Sequence, residues 1–181
     1  MKFITGFIAA LAVLAVGGLI YVYSGAYDVA ASVPHSSILR WVLVTARDQS
    51  IAARLDQVGS PPPPNSSSIK EGFEHFDEMC VTCHGAPGAE RGEVGKGLNP
   101  KPPDLSRLSK GKDPRELFWI VKNGIAMTGM PSFGATHNDQ AIWNIVAFLK
   151  ELPAIPAQKY QEMKQELAAS QSTSHEHHHG D

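Results

Sequence analysis

Cysteine is scarce in this chain of 181 residues: there are two, Cys80 and Cys83, and both fall in one five-residue run. No disulfide framework remains to be built beyond them. An excess of one charge is missing too, with 16 Lys and Arg against 18 Asp and Glu, which removes the electrostatic bias expected of a nucleic-acid-binding protein. No strand-like alternation flanks the cysteines. Charge is absent altogether from Phe3 to Tyr27, and Phe3–Tyr23 is mostly apolar. About 20 such residues suffice to cross a hydrocarbon core, whereas the apolar part of a secretory signal runs about 7–15. Length therefore favours an uncleaved anchor over residues 1–31. Val29-Ala30-Ala31, a small-residue stretch resembling a signal-peptidase site, keeps a cleaved signal as the competing reading. Tyr21, Tyr23 and Tyr27 cluster where an interfacial aromatic belt would sit. With Lys2 and the terminal amine inside, the remainder of the chain is expected on the outer, periplasm-like face.

What the chain does have is Cys80-Val81-Thr82-Cys83-His84. A C-x-x-C-H run reads as a c-type haem attachment site. Two thiols three positions apart each add to one vinyl group on a haem edge, and the adjacent His84 presents an imidazole nitrogen to the iron as proximal axial ligand. Structural zinc would need two more ligands, and no third cysteine exists. A thioredoxin-like dithiol needs a βαβ setting that is not there.

Between the apolar span and this motif, residues 32–59 read as a juxtamembrane helical segment. Pro34 precedes it, Ser36 or Ser37 caps it, and Gly59 ends it. Arg40, Arg47 and Arg54 recur every seven residues on one stripe, with Trp41, Val44, Ile51, Leu55 and Val58 beside it. This is either a basic helix resting on anionic head groups or a membrane partner, or a spacer with solvated arginines. Residues 60–68, with four consecutive prolines and then serines, form a linker of extended polyproline II at about 3.1 Å per residue. It leaves the following domain free to reorient.

From Ser67 or Ser68 a helix is expected to run to about Met79, with Ser68 and Glu71 as a capping box. Its buried face is Ile69, Gly72, Phe73, Phe76 and Met79. A second helix runs from Gln140 to about Leu152, capped by Asn138 or Asp139 and stopped by Pro153. It carries Ile142, Ile145, Val146, Leu149 and Leu152, with Trp143 and Phe148. Between them, 85–103 is a Gly/Pro-rich loop, and Asp113-Pro114 opens a helix ending at Asn123-Gly124.

These residues resemble a class I cytochrome c over about Ser68 to Pro153. In that family a glycine eight residues before the first haem cysteine and an aromatic four before it pack on the carboxy-terminal helix. Gly72 and Phe76 stand at those offsets, with Ile145 and Phe148 as partners. The resemblance implies an all-α haem domain (68–153) with one covalently attached haem c. It implies assembly on the export side of a membrane, where reduced thiols meet haem. It also implies a proline carbonyl that accepts the proximal histidine's other N–H; Pro100, Pro102 and Pro103 all qualify. The order of span, linker and single haem domain resembles membrane-tethered monohaem cytochromes of bacteria.

The sixth iron position separates a carrier from an enzyme. Met127 and Met130 are the candidates in Met127–Gly134. Met130, between Gly129 and Pro131, matches the family's G-M-P context, while Met127 reads as packing and His137 as the lesser alternative. A His84–Met130 iron cycles Fe(II)/Fe(III) with no site for oxygen, peroxide or nitrite. The expected function is then a membrane-tethered one-electron carrier. Its partners are a quinol-oxidising complex or dehydrogenase on one side and a terminal oxidase or reductase on the other. The competing functions are a haem enzyme or sensor with an open sixth position, and a metal-binding protein acting through the tail. Cations at Lys96, Lys101, Arg107, Lys110, Lys112, Arg115 and Lys122, against acids at Glu71, Glu74, Asp77 and Glu78, offer an asymmetry that orients partners. Residues 154–181 comprise a short polar helix to Ala169, then a disordered tail whose histidines, His175 and His177–His179, offer ligands to Cu, Zn or Ni.

Overall fold

The computed structural model describes residues 2–176, and every element among them is helical, with no β-strand. Two units separate at residues 34/35. The first holds α1 (Lys2–Tyr23), 22 residues long, apolar and without a buried side chain. Helix α1 is long and apolar enough to cross a membrane.

The second unit begins with α2 (Ser37–Ala52), whose N-cap Ser36 accepts a hydrogen bond from Leu39 N. A 3-10 turn, Leu55–Gln57, follows. Ile51 is buried, Val58 packs against the core, and α2 touches the later helix α7 (Pro114–Asn123). Residues on the amino-terminal side of the proline run therefore pack onto the domain beyond it, where sequence pattern suggested a free tether.

Next comes α3 (Ser66–His75). Its cap is Asn65, one turn earlier than expected: Asn65 Oδ1 accepts from Ser68 N and Ser68 Oγ accepts from Asn65 N, each at 2.9 Å. Glu71, displaced from the capping role, accepts instead from Ser67 Oγ at 2.9 Å and Asn144 Nδ2 at 2.6 Å. The helix widens into a π-turn, Phe76–Cys80, before α4 (Val81–His84) completes the cysteine motif. Such π-bulges concentrate at functional sites. Short helices α5 (Glu93–Gly97) and α6 (Leu105–Leu108) punctuate the loop that follows.

Helix α7 (Pro114–Asn123) has Asp113 as N-cap, accepting from Arg115 N at 2.8 Å, and Gly124 at φ 67° as its stop. Helix α8 (Asp139–Glu151) is capped by Asn138, which accepts from Ala141 N at 2.9 Å. The principal crossing is α3 against α8. Phe73, Phe76, Ile142, Ile145, Phe148 and Leu149 are buried there, with Leu117, Phe118 and Val121 arriving from α7. Phe148 meets Phe73 and Phe76 with ring centroids 5.4 and 5.2 Å apart. The last helix, α9 (Ala157–Glu176), is longer than expected and reaches into the stretch read as disordered. His177–His179, and with them most of the histidine cluster proposed to bind metal, lie outside the described residues.

Candidate functional site

The cysteine motif sits on one continuous helical run, so Cys80 and Cys83 fall about one turn apart and His84 follows at its end. Gly85, at φ 73°, then turns the chain away. His84 Nδ1 lies 2.8 Å from Pro103 O. A carbonyl can only accept, so Nδ1 carries the proton and Nε2 is left as the free lone pair. Of the three prolines open from sequence, the structure selects Pro103. Burial lowers the His84 pKa, assisted by the nearby Arg91 cation and opposed by the Pro103 bond. The neutral form, which alone can bind a metal, is thereby favoured.

Cys80 is half-buried and packs against the apolar core. Burial, with Cys83 adding a smaller effect, pushes its thiol up to about 12. The sulfur is therefore a protected, protonated thiol in the chain by itself. Around Cys83 the backbone closes tightly: a Cβ at Gly95 would fall 2.5 Å from Cys83 O, so α5 lies directly on the motif. Gly92 N donates to Thr82 O at 3.0 Å and fixes the same approach.

Met130 packs against the core cluster that also receives Cys80, Val81 and Leu105. Its loop is pinned to the end of α7. Ile125 N donates to Met130 O at 3.2 Å, Met130 N donates to Thr128 Oγ1 at 3.1 Å, and Ser132 Oγ donates to Lys122 O at 2.7 Å. Across the site, Gly129 lies against Leu98: a Cβ there would be 2.5 Å from a Leu98 methyl. Met127, expected to pack, is instead 89% exposed at φ 60°. The tight turn that draws Met130 inward throws Met127 out. His137 stacks edge-on against His75, centroids 5.1 Å apart, and its Nδ1 pairs with Thr136 Oγ1 at 2.8 Å.

The sequence model of the family described as cytochrome c oxidase, cbb3-type, subunit III matches residues 67–149. This segment is a c-type cytochrome domain. No curated protein matches the chain. Among solved structures, a chain of the reducing HAO-like protein complex of Kuenenia stuttgartiensis is 25% identical, with a TM-score of 0.46 over 52% of this chain. The present chain spans 47% of that one. A cytochrome c domain implies haem c and haem-based electron transfer.

The residues present fit that cofactor. The cytochrome c domain offers two thiols at one edge, a neutral imidazole with its Nε2 free, and a thioether packed on the same core. An open pocket beside His84 is lined by Arg91, Lys96, Asp104 and Arg107 among others; Cys80, Cys83 and Met130 do not line it. Arg91 Nε is buried there without a partner among the described residues. Such a donor awaits an acceptor that the chain does not itself supply.

Asp104 holds the proximal side. It caps α6 directly after Pro103, accepting from Ser106 Oγ at 2.6 Å and Ser106 N at 3.0 Å. The Ser106 hydroxyl, its N–H and Arg107 hold the carboxyl below its usual 3.8, against a smaller opposing effect of burial. A depressed carboxylate stabilises the fold above that value, and the contribution is lost as pH falls through the lower folded-state pKa. Acid unfolding of Asp104→Asn, which keeps a capping oxygen without the charge, is therefore expected to lose part of its slope below about pH 4. Asp104→Ala should cost about 1 kcal/mol at neutral pH, read by urea denaturation.

Two features escaped sequence reading. One is charge pairing. Five of the seven cations expected to form a basic field sit against carboxylates: Lys96 on Glu90, Arg107 on Asp104, Lys112 on Glu116, Arg115 on Asp113 and Lys122 on Asp139. The steering asymmetry is correspondingly weakened. The other is the packing of α9, a helix expected to be short and polar, which lies outside the family-matched segment. Ala157 Cβ stands 2.7 Å from where a Gly88 Cβ would be, on the loop after His84. Tyr160, 1% exposed, donates its hydroxyl to Asp77 Oδ1 at 2.8 Å, within the π-turn before Cys80. Lys164 joins Asp77 at 3.2 Å. The helix thus grips the segment around Cys80–His84 on both sides, and burial with the Asp77 bond drives the Tyr160 pKa upward. The spacing of Tyr160, Met163 and Leu167 was the available signal, since all three face the core. Tyr160→Phe keeps the ring and removes one bond to a carboxylate, an expected loss of about 1.5–3 kcal/mol. Denaturant unfolding of the haem-loaded protein measures it; an unchanged midpoint would mean that Lys164 alone satisfies Asp77.

Proposed function

We propose that the protein is a membrane-tethered one-electron carrier, with a single haem c joined through thioethers to Cys80 and Cys83 and ligated by His84 and Met130. The observation that carries this reading is the 2.8 Å bond from His84 Nδ1 to Pro103 O, which puts the imidazole proton on Nδ1 and leaves the Nε2 lone pair for a metal, while Met130 packs on the same core as Cys80. Haem bound there supplies a reversible Fe(II)/Fe(III) couple. The chain's part is to hold both axial groups on rigid supports, so that little rearrangement accompanies electron exchange, and to leave no coordination site for a substrate.

Helix α1 is the tether, a single span with the haem domain on the periplasmic side. Electrons arrive from a quinol-oxidising complex or a dehydrogenase and leave to a terminal oxidase or reductase. The description of the matched family, a subunit of a cbb3-type oxidase, favours an oxidase as acceptor. The test is optical. Protein purified from gently solubilised membranes should show a low-spin spectrum with the weak sulfur-to-iron band in its ferric form, should bind neither CO nor cyanide rapidly, and should bring its redox partner with it. Rapid CO binding by the native ferrous protein would instead mark a haem enzyme or sensor.

A further inference from the structure

Helix α2 is divided along its length. Its carboxy-terminal half is polar and gripped by the domain, with Ile51 4% exposed and contacts to α7. Its amino-terminal half carries a bare apolar face. Ile38 is 75%, Trp41 68% and Val42 46% exposed, while Leu43 and Val44, at 38% and 37%, are partly covered. At 100° per residue Ile38, Trp41 and Val42 share one face of the helix. Such a stripe ordinarily packs on a core or lies in lipid, and the core of this protein does not cover it.

Charge agrees. Residues 37–44 carry no acid and one cation, Arg40; Arg47, further along, pairs with Asp48 at 2.7 Å. Trp is the side chain most at home at the boundary between head groups and acyl chains, and an arginine stem can lie along apolar surface while its guanidinium reaches phosphate. The apolar helix α1 ends at Tyr23, shortly before α2 in the chain.

We propose that residues 37–44 are embedded in the interfacial layer of the bilayer, and that α2, fixed at its other end to the cytochrome c domain, sets the orientation of that domain to the membrane. The occupant of the bare face is lipid. The haem domain then rides on a rigid arm and does not swing on a free tether, which limits the directions from which a membrane-bound partner reaches it. The inference rests on the reading of α1 as a span.

The full-length haem protein, reduced and placed in nanodiscs containing anionic lipid, tests both. Spin labels are introduced by Ile38→Cys and Val42→Cys, with Leu11→Cys as reference within α1 and Gln49→Cys as reference on the polar half of α2. Accessibility to oxygen, relative to a water-soluble nickel chelate, should be several-fold higher at 38 and 42 than at 49, and should approach that at 11. If 11 is lipid-like while 38 and 42 match 49, the proposal fails and the span survives. If 11 is water-like, the span reading fails, and lipid-like values at 38 and 42 would still support interfacial binding of α2. Shielding of 38 and 42 from both reagents would show that protein, a second copy of this chain, covers the face, and would overturn the proposal.

Discussion

Met130→Ala is expected to leave haem attached and the fold intact while converting the iron from closed to open. In the proposed site the thioethers would depend on Cys80 and Cys83, and the proximal bond on His84 held by Pro103, none of which the substitution touches. Met130 is only half-buried, at the edge of the core, so the cavity left behind is partly filled by water and the stability cost stays near 2 kcal/mol, the low end for a truncated methionine. The electronic effect is larger. Methionine raises the potential of a His-ligated haem, and axial ligands move haem potentials over about 0.8 V. The midpoint should therefore fall by on the order of a few tenths of a volt. The sulfur-to-iron band should vanish, and CO should bind the ferrous form rapidly. The same measurements on Met127→Ala should match the unsubstituted protein, because that side chain is 89% exposed. If Met127→Ala opens the iron and Met130→Ala does not, the assignment of the two methionines is reversed. If neither does, His137 becomes the ligand to test.

That contrast also shows why some of the site is legible in sequence and some is not. Local chemistry transmits well. The Asp113-Pro114 start and Asn123-Gly124 stop of α7 lie where capping rules put them, because each involves groups two to four residues apart. The Cys80–His84 run and the Gly72 and Phe76 offsets are equally local, and the structure places all of them on one helical stretch. Long-range partners are another matter. Pro100, Pro102 and Pro103 have identical chemistry, and only the path of the 85–103 loop, pressed onto Cys83 by Gly95, decides which carbonyl meets His84. Asn144 is polar and buried on an otherwise apolar face, satisfied by Glu71 and Gln140; periodicity alone gives no warning of it. The cations looked like a field because a composition pattern records charges and not the carboxylates beside them. Tyr160 was hidden for a different reason: a helix with mixed polar composition looks solvated until its one buried stripe finds a surface.

Gly72→Ala carries the sharpest expectation about the fold, because two physical rules give it opposite signs. By helix propensity alone, alanine in mid-helix should stabilise α3 by about 1 kcal/mol. By packing, a Cβ at this position would lie 1.9 Å from Asn144 O and 2.9 Å from Phe148 Cβ. The first of these is backbone of α8 and cannot rotate away, so the helices must separate. Separation draws Phe73 and Phe76 off Phe148, and it disturbs the Asn144–Glu71 bond that sits at the same crossing. Overpacking typically costs about 1–3 kcal/mol and occasionally more; a rigid backbone contact at this distance belongs at or above the upper end. The net loss should be roughly 3 kcal/mol or greater even after the propensity gain, seen as a lower denaturation midpoint or a smaller yield of haem-loaded protein. Since α3 runs without a break into the π-turn and Cys80, the displacement should also reach the haem, lowering the sulfur-to-iron band in whatever holoprotein forms. Gly97→Ala, where a Cβ meets nothing within 4 Å, is the control, expected to be neutral. A stabilised Gly72→Ala would mean that α3 and α8 do not cross at this residue, and the fold around the haem site would have to be redrawn.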